Sequence, residues 1–319
     1  MSNRSHSQLA ADVLALAAAP FGIPAMAFWI YVSAAVVLLV GATTVLKELQ
    51  REHGVNKIMP FGRLCFAIPL AVFGTEHFTA TANIASLVPR WIPAHTFWVY
   101  LVGLGFLCAG LGIAGLVQAR LAAALVGMTM LIFVLVMDAP AVAANPGDRF
   151  FWALAFRQLA FSCGALALAM SPPRPRPGLQ SPVRPMAAWV AVLRIVVGIA
   201  SLFYGVEHLL HPEFLPGVPL RKLTPEWVPG RIVVGYVVGV VLIAAGVCLL
   251  MNAKARIAAT TLGITILLTV LCVYLPMLVR TPTDIVALNY FFDTMLFGGT
   301  ILLLANAMDE SQAVPAEAP

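Results

Sequence analysis

The chain has 319 residues, of which 61% are hydrophobic and only 10% charged, and its mean hydropathy is +0.93. A soluble domain carries about 25% charged residues, so this composition excludes one and requires a polytopic membrane protein. The net charge of +5 comes from Lys and Arg scattered over short connections, without the single basic face that nucleic acid demands, so no nucleic-acid partner is expected.

In chain order, Leu9 to Ala19 is a short apolar run broken by Asp12 and closed by Pro20, which reads as an interfacial helix rather than a cleaved leader. A hydrocarbon core about 30 Å thick needs about 20 apolar residues per helix. Nine such stretches follow: Pro24 to Leu46, Arg63 to Leu87, Thr96 to Val117, Leu121 to Ala143, Phe150 to Met170, Ala187 to Leu210, Ile232 to Met251, Ala255 to Val279 and Ile285 to Ala305. Between the fifth and sixth, Ser171 to Arg184 reads SPPRPRPGLQSPVR, where dense proline prevents helix and favours a solvated linker. The expected organisation is therefore an N-terminal segment and anchor helix over 1–60, four spans over 61–170, a linker over 171–186, four spans over 187–306 and a disordered tail over 307–319.

Alternate loops divide the Lys and Arg residues unevenly. Lys47, Arg51, Lys57, Arg63, Arg120, Arg174, Arg176, Arg184, Lys254 and Arg256 fall on one side, and Arg4, Arg90, Arg149, Arg221, Lys222, Arg231 and Arg280 on the other. The richer side is expected to be cytoplasmic, which leaves the N-terminus outside and the C-terminus inside. All five cysteines (Cys65, Cys108, Cys163, Cys248, Cys272) sit in apolar stretches with no CxxC pair, as small buried hydrophobes do.

The two halves repeat one another. Phe73-Gly-Thr-Glu76-His77-Phe78 matches Tyr204-Gly-Val-Glu207-His208-Leu209 at an offset of 131 residues. Pro89-Arg-Trp91-Ile-Pro93 then matches Pro225-Glu-Trp227-Val-Pro229 at an offset of 136, which continues through Ala119 to Ala123 against Ala255 to Ala259 and Pro140 against Pro276. The five extra residues fall in the second copy's loop, around His211 to Leu220. Four spans return the chain to its starting side, so the copies are parallel, with a pseudo-twofold along the membrane normal. The fold class is all-α integral membrane: two parallel four-helix repeats plus one N-terminal helix.

These motifs resemble the four-helix membrane proteins of the DoxX/DoxD type, in which a Gly-x-Glu-His stretch precedes Pro-x-Trp-x-Pro. The resemblance covers Gly62 to Ala169 and Arg194 to Ala305 and implies a bacterial inner-membrane protein. It also implies membership of a membrane oxidoreductase complex, like the small subunit of a thiosulfate:quinone oxidoreductase, with other membrane or periplasmic subunits as partners. The chain departs from that pattern in being a fused duplication and in lacking paired cysteines.

Charged residues inside a span are costly and face a bundle interior. At 1.5 Å per residue, Glu76 and Arg157 both lie about 10 Å below the outer surface. Within the first repeat they are expected to form an ion pair. The position aligned with Arg157 in the second repeat is Asp293, so Glu207 and Asp293 are expected to meet as two carboxylates, an arrangement suited to holding a proton or a cation. His208, Tyr274 and Asn289 can join them.

On this reading Glu207, His208 and Asp293 carry the chemistry, while Glu76, His77, Arg157, Trp91, Trp227, Tyr274 and Asn289 bind ligand. A quinone-like lipid near the outer leaflet is the leading candidate, with Glu207 and Asp293 exchanging protons, His208 bonding a carbonyl and Trp227 covering the head. The bland alternative makes the buried pairs packing devices, the Trp residues interfacial anchors, and the protein a scaffold or assembly subunit. No haem, flavin, nucleotide or iron-sulfur motif is visible, no metal site is expected, and Gly235-x-x-x-Gly239 reads as a helix contact. A carrier is the third class, but the dense apolar faces leave no hydrophilic path.

Overall fold

The computed structural model describes residues 24–171 and 185–308. The expected interfacial helix over Leu9 to Ala19, the linker from residue 172 to 184 and the tail from residue 309 lie outside the described residues. Among those described there are nine helices long and apolar enough to cross a membrane. They are α1 (Ala25–Leu49), α2 (Met59–Thr79), α3 (His95–Gly115), α4 (Ala119–Ala144), α5 (Arg149–Met170), α6 (Pro185–Leu210), α7 (Arg231–Met251), α8 (Ala255–Arg280) and α9 (Ile285–Ala307). A 3₁₀ turn over Gly54–Ile58 leads into α2. The span expected to reach Leu87 ends at Thr79 instead, because the backbone leaves helical geometry at Ala80 (φ −123°) and restarts as the short helix Thr81–Ala85.

The duplication extends to backbone detail at the 136-residue offset. Asp148 and Asp284 cap α5 and α9, each Oδ1 accepting at 2.9 Å from the amide two residues on, the usual role of an Asp N-cap. Leu116 and Asn252 end α3 and α7 in left-handed conformations, and the next residue's amide reaches back to Gly112 and Cys248, the Schellman arrangement. In α4 and α8 the same five-residue stretch winds as π-helix, Val134–Asp138 and Val270–Tyr274. Pro140 and Pro276 follow two residues later. A proline inside a helix removes a donor and crowds the carbonyl four residues back, and the wider turn absorbs that conflict.

Packing around the bundle runs α2, α3, α4, α5, α6, α7, α8, α9 and back to α2, with α5 against α9 in the middle and α1 laid on α2 and α3. The first and fourth helices of one repeat therefore make little contact with each other. Each instead packs on the other repeat: α9 on α2, and α5 on α6. Symmetry-equivalent residues meet at the centre, where a side chain on Gly164 would strike Thr300, 136 positions later.

This exchange corrects both expected pairings. Glu76 does not bond Arg157, because α2 faces α9 rather than α5; Glu207 does not bond Asp293, because α6 faces α5 rather than α9. Buried polar pairs hold the exchanged arrangement: Arg157 with Asp293 between α5 and α9, and Arg149 with Glu207 between α5 and α6, at 3.1 Å. A third, Arg63 with Glu48 at 3.0 Å, fixes α1.

Helix association in lipid relies on close backbone approach at small residues. At Gly299 an added Cβ would lie 2.7 Å from the Phe66 amide nitrogen and 2.9 Å from the Gly62 carbonyl oxygen, so α9 can lie on α2 only with glycine there. Gly299→Leu is expected to cost about 3 kcal/mol as overpacking of a tight contact, measured as a lower unfolding midpoint in detergent. An unchanged midpoint would mean that the α2–α9 contact does not hold the bundle.

Candidate functional site

The repeats differ most at the end of the bundle that carries the longer loops. In the second repeat the inserted residues turn inward. Residues 211–224 fold back as a small hairpin, closed by Leu215 N–H to Lys222 O (2.9 Å) and Thr224 N–H to Glu213 O (2.8 Å), and all of 215–220 is buried. This apolar segment, Leu-Pro-Gly-Val-Pro-Leu, plugs the lobe between α5, α6, α8 and α9.

The side chains expected to do chemistry in the second repeat hold that plug. His208 Nε2 accepts the Gly217 N–H at 3.0 Å, and the Tyr274 hydroxyl donates to Pro216 O at 2.7 Å. Arg149 bonds Glu207 and also donates to the carbonyls of Pro219 (3.0 Å) and Leu220 (2.9 Å), with its guanidinium 4.3 Å from the centre of the Phe214 ring. The Tyr290 hydroxyl accepts the Lys222 amide at 3.2 Å. Gly217 has φ +112°, and a Cβ there would sit 3.1 Å from Thr294 Cγ2, so only glycine lets the chain turn against α9. Trp227 stacks under Arg280, 4.1 Å from ring centre to guanidinium, and Asp293 turns away to Arg157. Glu207, His208 and Asp293 are therefore not assembled into one site.

The first repeat lacks the insertion, and there the equivalent region is a cleft of about 480 Å³. Its walls are Leu87, Pro89 and Trp91 from the loop, Phe133 to Ala141 on α4 in part, and Phe151, Leu154, Arg157 and Gln158 on α5. Trp91 stands at the surface, 74% exposed. The cleft is apolar except for Asp138, Arg157 and Gln158. The π turn sets the register of Asp138, as it does for Tyr274 in the other repeat.

Two polar atoms of this cleft's lining residues are buried without hydrogen-bond partners: Asp138 Oδ2, an acceptor, and Arg157 Nε, a donor. The two residues lie within electrostatic range of each other. Unpaired polar groups in an apolar interior are costly, about 1–3 kcal/mol each, and ask for an occupant or a role. Gln158 has only a soft contact, Nε2 to Met130 Sδ at 3.0 Å.

Behind the cleft, Asn289, with its amide nitrogen turned to the carboxylate, donates to both oxygens of Glu76 across the α2–α9 contact. His77 is half-buried, bonded through Nδ1 to Phe73 O, with its ring edge-on to Phe106. Of the residues singled out from sequence, Arg157 and Trp91 line the cleft, while Glu76 pairs with Asn289 and lies within electrostatic range of Asp293.

Asp138, Gln158 and Arg149 were not singled out. Asp138 was open to discovery, since the 136-residue offset sets it opposite Tyr274 beside the matched prolines. Among the described residues no group of three or more His, Cys, Asp or Glu side chains could hold a metal ion. No family model, curated protein or solved structure matches the chain.

Proposed function

We propose that the chain is a membrane subunit of an oxidoreductase complex that binds the head of a quinone-like lipid in the first-repeat cleft and exchanges protons there. The observation carrying this reading is the pair of unpartnered buried atoms, one donor and one acceptor, on an otherwise apolar wall. Ligand sites combine an apolar lining with a few placed polar groups in about 300–1,000 Å³, and the cleft fits that description. A ring oxygen can accept from the Arg157 guanidinium, Asp138 can hold or take up a proton, and Phe133, Phe151 and Leu154 can enclose the ring. A quinone would supply two-electron, two-proton redox chemistry, and the electrons must come from or go to a partner subunit.

The DoxX-type motifs support the same reading and a bacterial inner membrane, and the Lys and Arg bias supports an outer-face position for the cleft. Because Glu207, His208 and Tyr274 are engaged by the plug, the proton-exchanging role passes to the first repeat. A non-catalytic assembly subunit is the second reading. It is favoured by three buried or partly buried ion pairs among the described residues, each of which joins two different helices.

The test is mass spectrometry of lipids that co-purify from native membranes with the wild type, Asp138→Ala and the cleft-filling Leu154→Trp. Stoichiometric quinone, counted as oxidised plus reduced forms, in the wild type and a more than tenfold loss in both variants are expected. Quinone retained in both would remove the assignment. Stable partner subunits with no quinone in any sample would favour the assembly role.

A further inference from the structure

The duplication supplies its own comparison for the cleft. In the second repeat the corresponding space is filled by the chain itself, and one peptide group sits clamped within it. The Pro216 carbonyl accepts from Tyr274 and the Gly217 N–H donates to His208. Tyr274 and Asp138 are equivalent, each closing its π turn; Tyr274 bonds the plug and Asp138 lines the cleft. The plug is thus a tethered occupant of a site that the first repeat keeps for a free one.

The exchange of Tyr for Asp at that point then defines what the free occupant must offer. A phenol donates, and it holds a carbonyl oxygen. A carboxylate accepts, and Asp138 Oδ2 is buried with no hydrogen-bond partner, so the group facing it must be a donor. The Arg157 guanidinium, within electrostatic range of Asp138 and with its Nε unpartnered, needs an acceptor. An ammonium could satisfy Asp138, but it would have to carry its charge into the bilayer, which is unfavourable. A neutral hydroxyl avoids that penalty. The remaining shape is apolar and branched, as Leu215, Val218 and Leu220 are in the plug.

We propose that the first-repeat cleft selects a hydroxyl-bearing ring lipid, the reduced quinol-type form over the oxidised one. One hydroxyl donates to the Asp138 carboxylate and a second ring oxygen accepts from the Arg157 guanidinium. This rests on the quinone-site reading and adds to it the redox form that is bound and the residue that discriminates.

Three probes separate the two claims: a short-chain hydroquinone, the matching quinone, and the hydroquinone dimethyl ether, which keeps the ring and loses both donors. Binding of each to the full chain in nanodiscs is measured by calorimetry under anaerobic conditions. A hydrogen bond to a charged group is worth about tenfold or more in affinity. The wild type is expected to bind the hydroquinone at least tenfold more tightly than either other probe, and Asp138→Leu to bind all three within threefold. Equal wild-type affinities for the three would overturn the selectivity while leaving the site standing. A preference that survives Asp138→Leu would overturn the role of Asp138. Failure of all three to bind the wild type would overturn both the selectivity and the site.

Discussion

Arg149→Met is expected to destabilise the protein by about 3 kcal/mol and to loosen the plug. Removing one partner of a buried, hydrogen-bonded ion pair leaves the other charge uncompensated, at a cost of about 3–5 kcal/mol. The lower end applies because Arg149 is only partly buried, its side chain 25% exposed. Three acceptors lose their donor at once: Glu207, Pro219 O and Leu220 O. The measurement pairs unfolding in detergent with maleimide labelling of Val218→Cys, against the same chain without the added cysteine. Val218 is 3% exposed, so labelling in the Arg149 background should be slow, and about tenfold faster in Arg149→Met. Equal rates would mean that the remaining contacts, from His208, Tyr274 and Tyr290, suffice to hold the segment.

The plug shows where reading the sequence stopped short. The offset locates five extra residues around His211 to Leu220 and says nothing of whether they fold inward or outward. The six residues between Phe214 and Arg221 contain no charge and no side-chain hydrogen-bonding group, which is the composition of a buried segment. The nine spans were legible because each is a long uninterrupted apolar run, and the duplication because Gly-x-Glu-His and Pro-x-Trp-x-Pro recur at nearly constant offset.

Neighbours were not legible. An offset states which helices correspond, and says nothing of whether a fourth helix closes on its own repeat or crosses to the other. Contacts such as Gly299 against the α2 backbone and Gly164 against Thr300 decide that, and each is defined only once the partner is known. Asp138 went unread for a related reason: its weight comes from the π turn that sets its register and from the absence of a plug over it.

The second large effect concerns the axis itself. Arg157 and Asp293 occupy equivalent positions, and the difference between them looked like one intact pair and one carboxylate clash. Across the exchanged interface it is a single ion pair joining the two copies. Arg157→Met should therefore cost about 4 kcal/mol, since Asp293 is left in the bundle without its cation. Adding Asp293→Leu should recover most of that loss, because a well-packed apolar pair replaces a buried ionic one at little net cost.

The charge exchange Arg157→Asp with Asp293→Arg separates the two roles of Arg157. It restores a pair between α5 and α9, so the unfolding midpoint should return close to wild type. It also moves the guanidinium onto α9, beside the repeat whose lobe is already filled by Leu215 to Leu220, and takes the guanidinium donor from the first cleft. Stability should come back while co-purifying quinone stays absent. Retention of quinone by the exchanged protein would show that Arg157 is not the donor in the cleft. A midpoint as low as that of Arg157→Met would show that the two positions are not interchangeable, and that the pair depends on surroundings the duplication has not preserved.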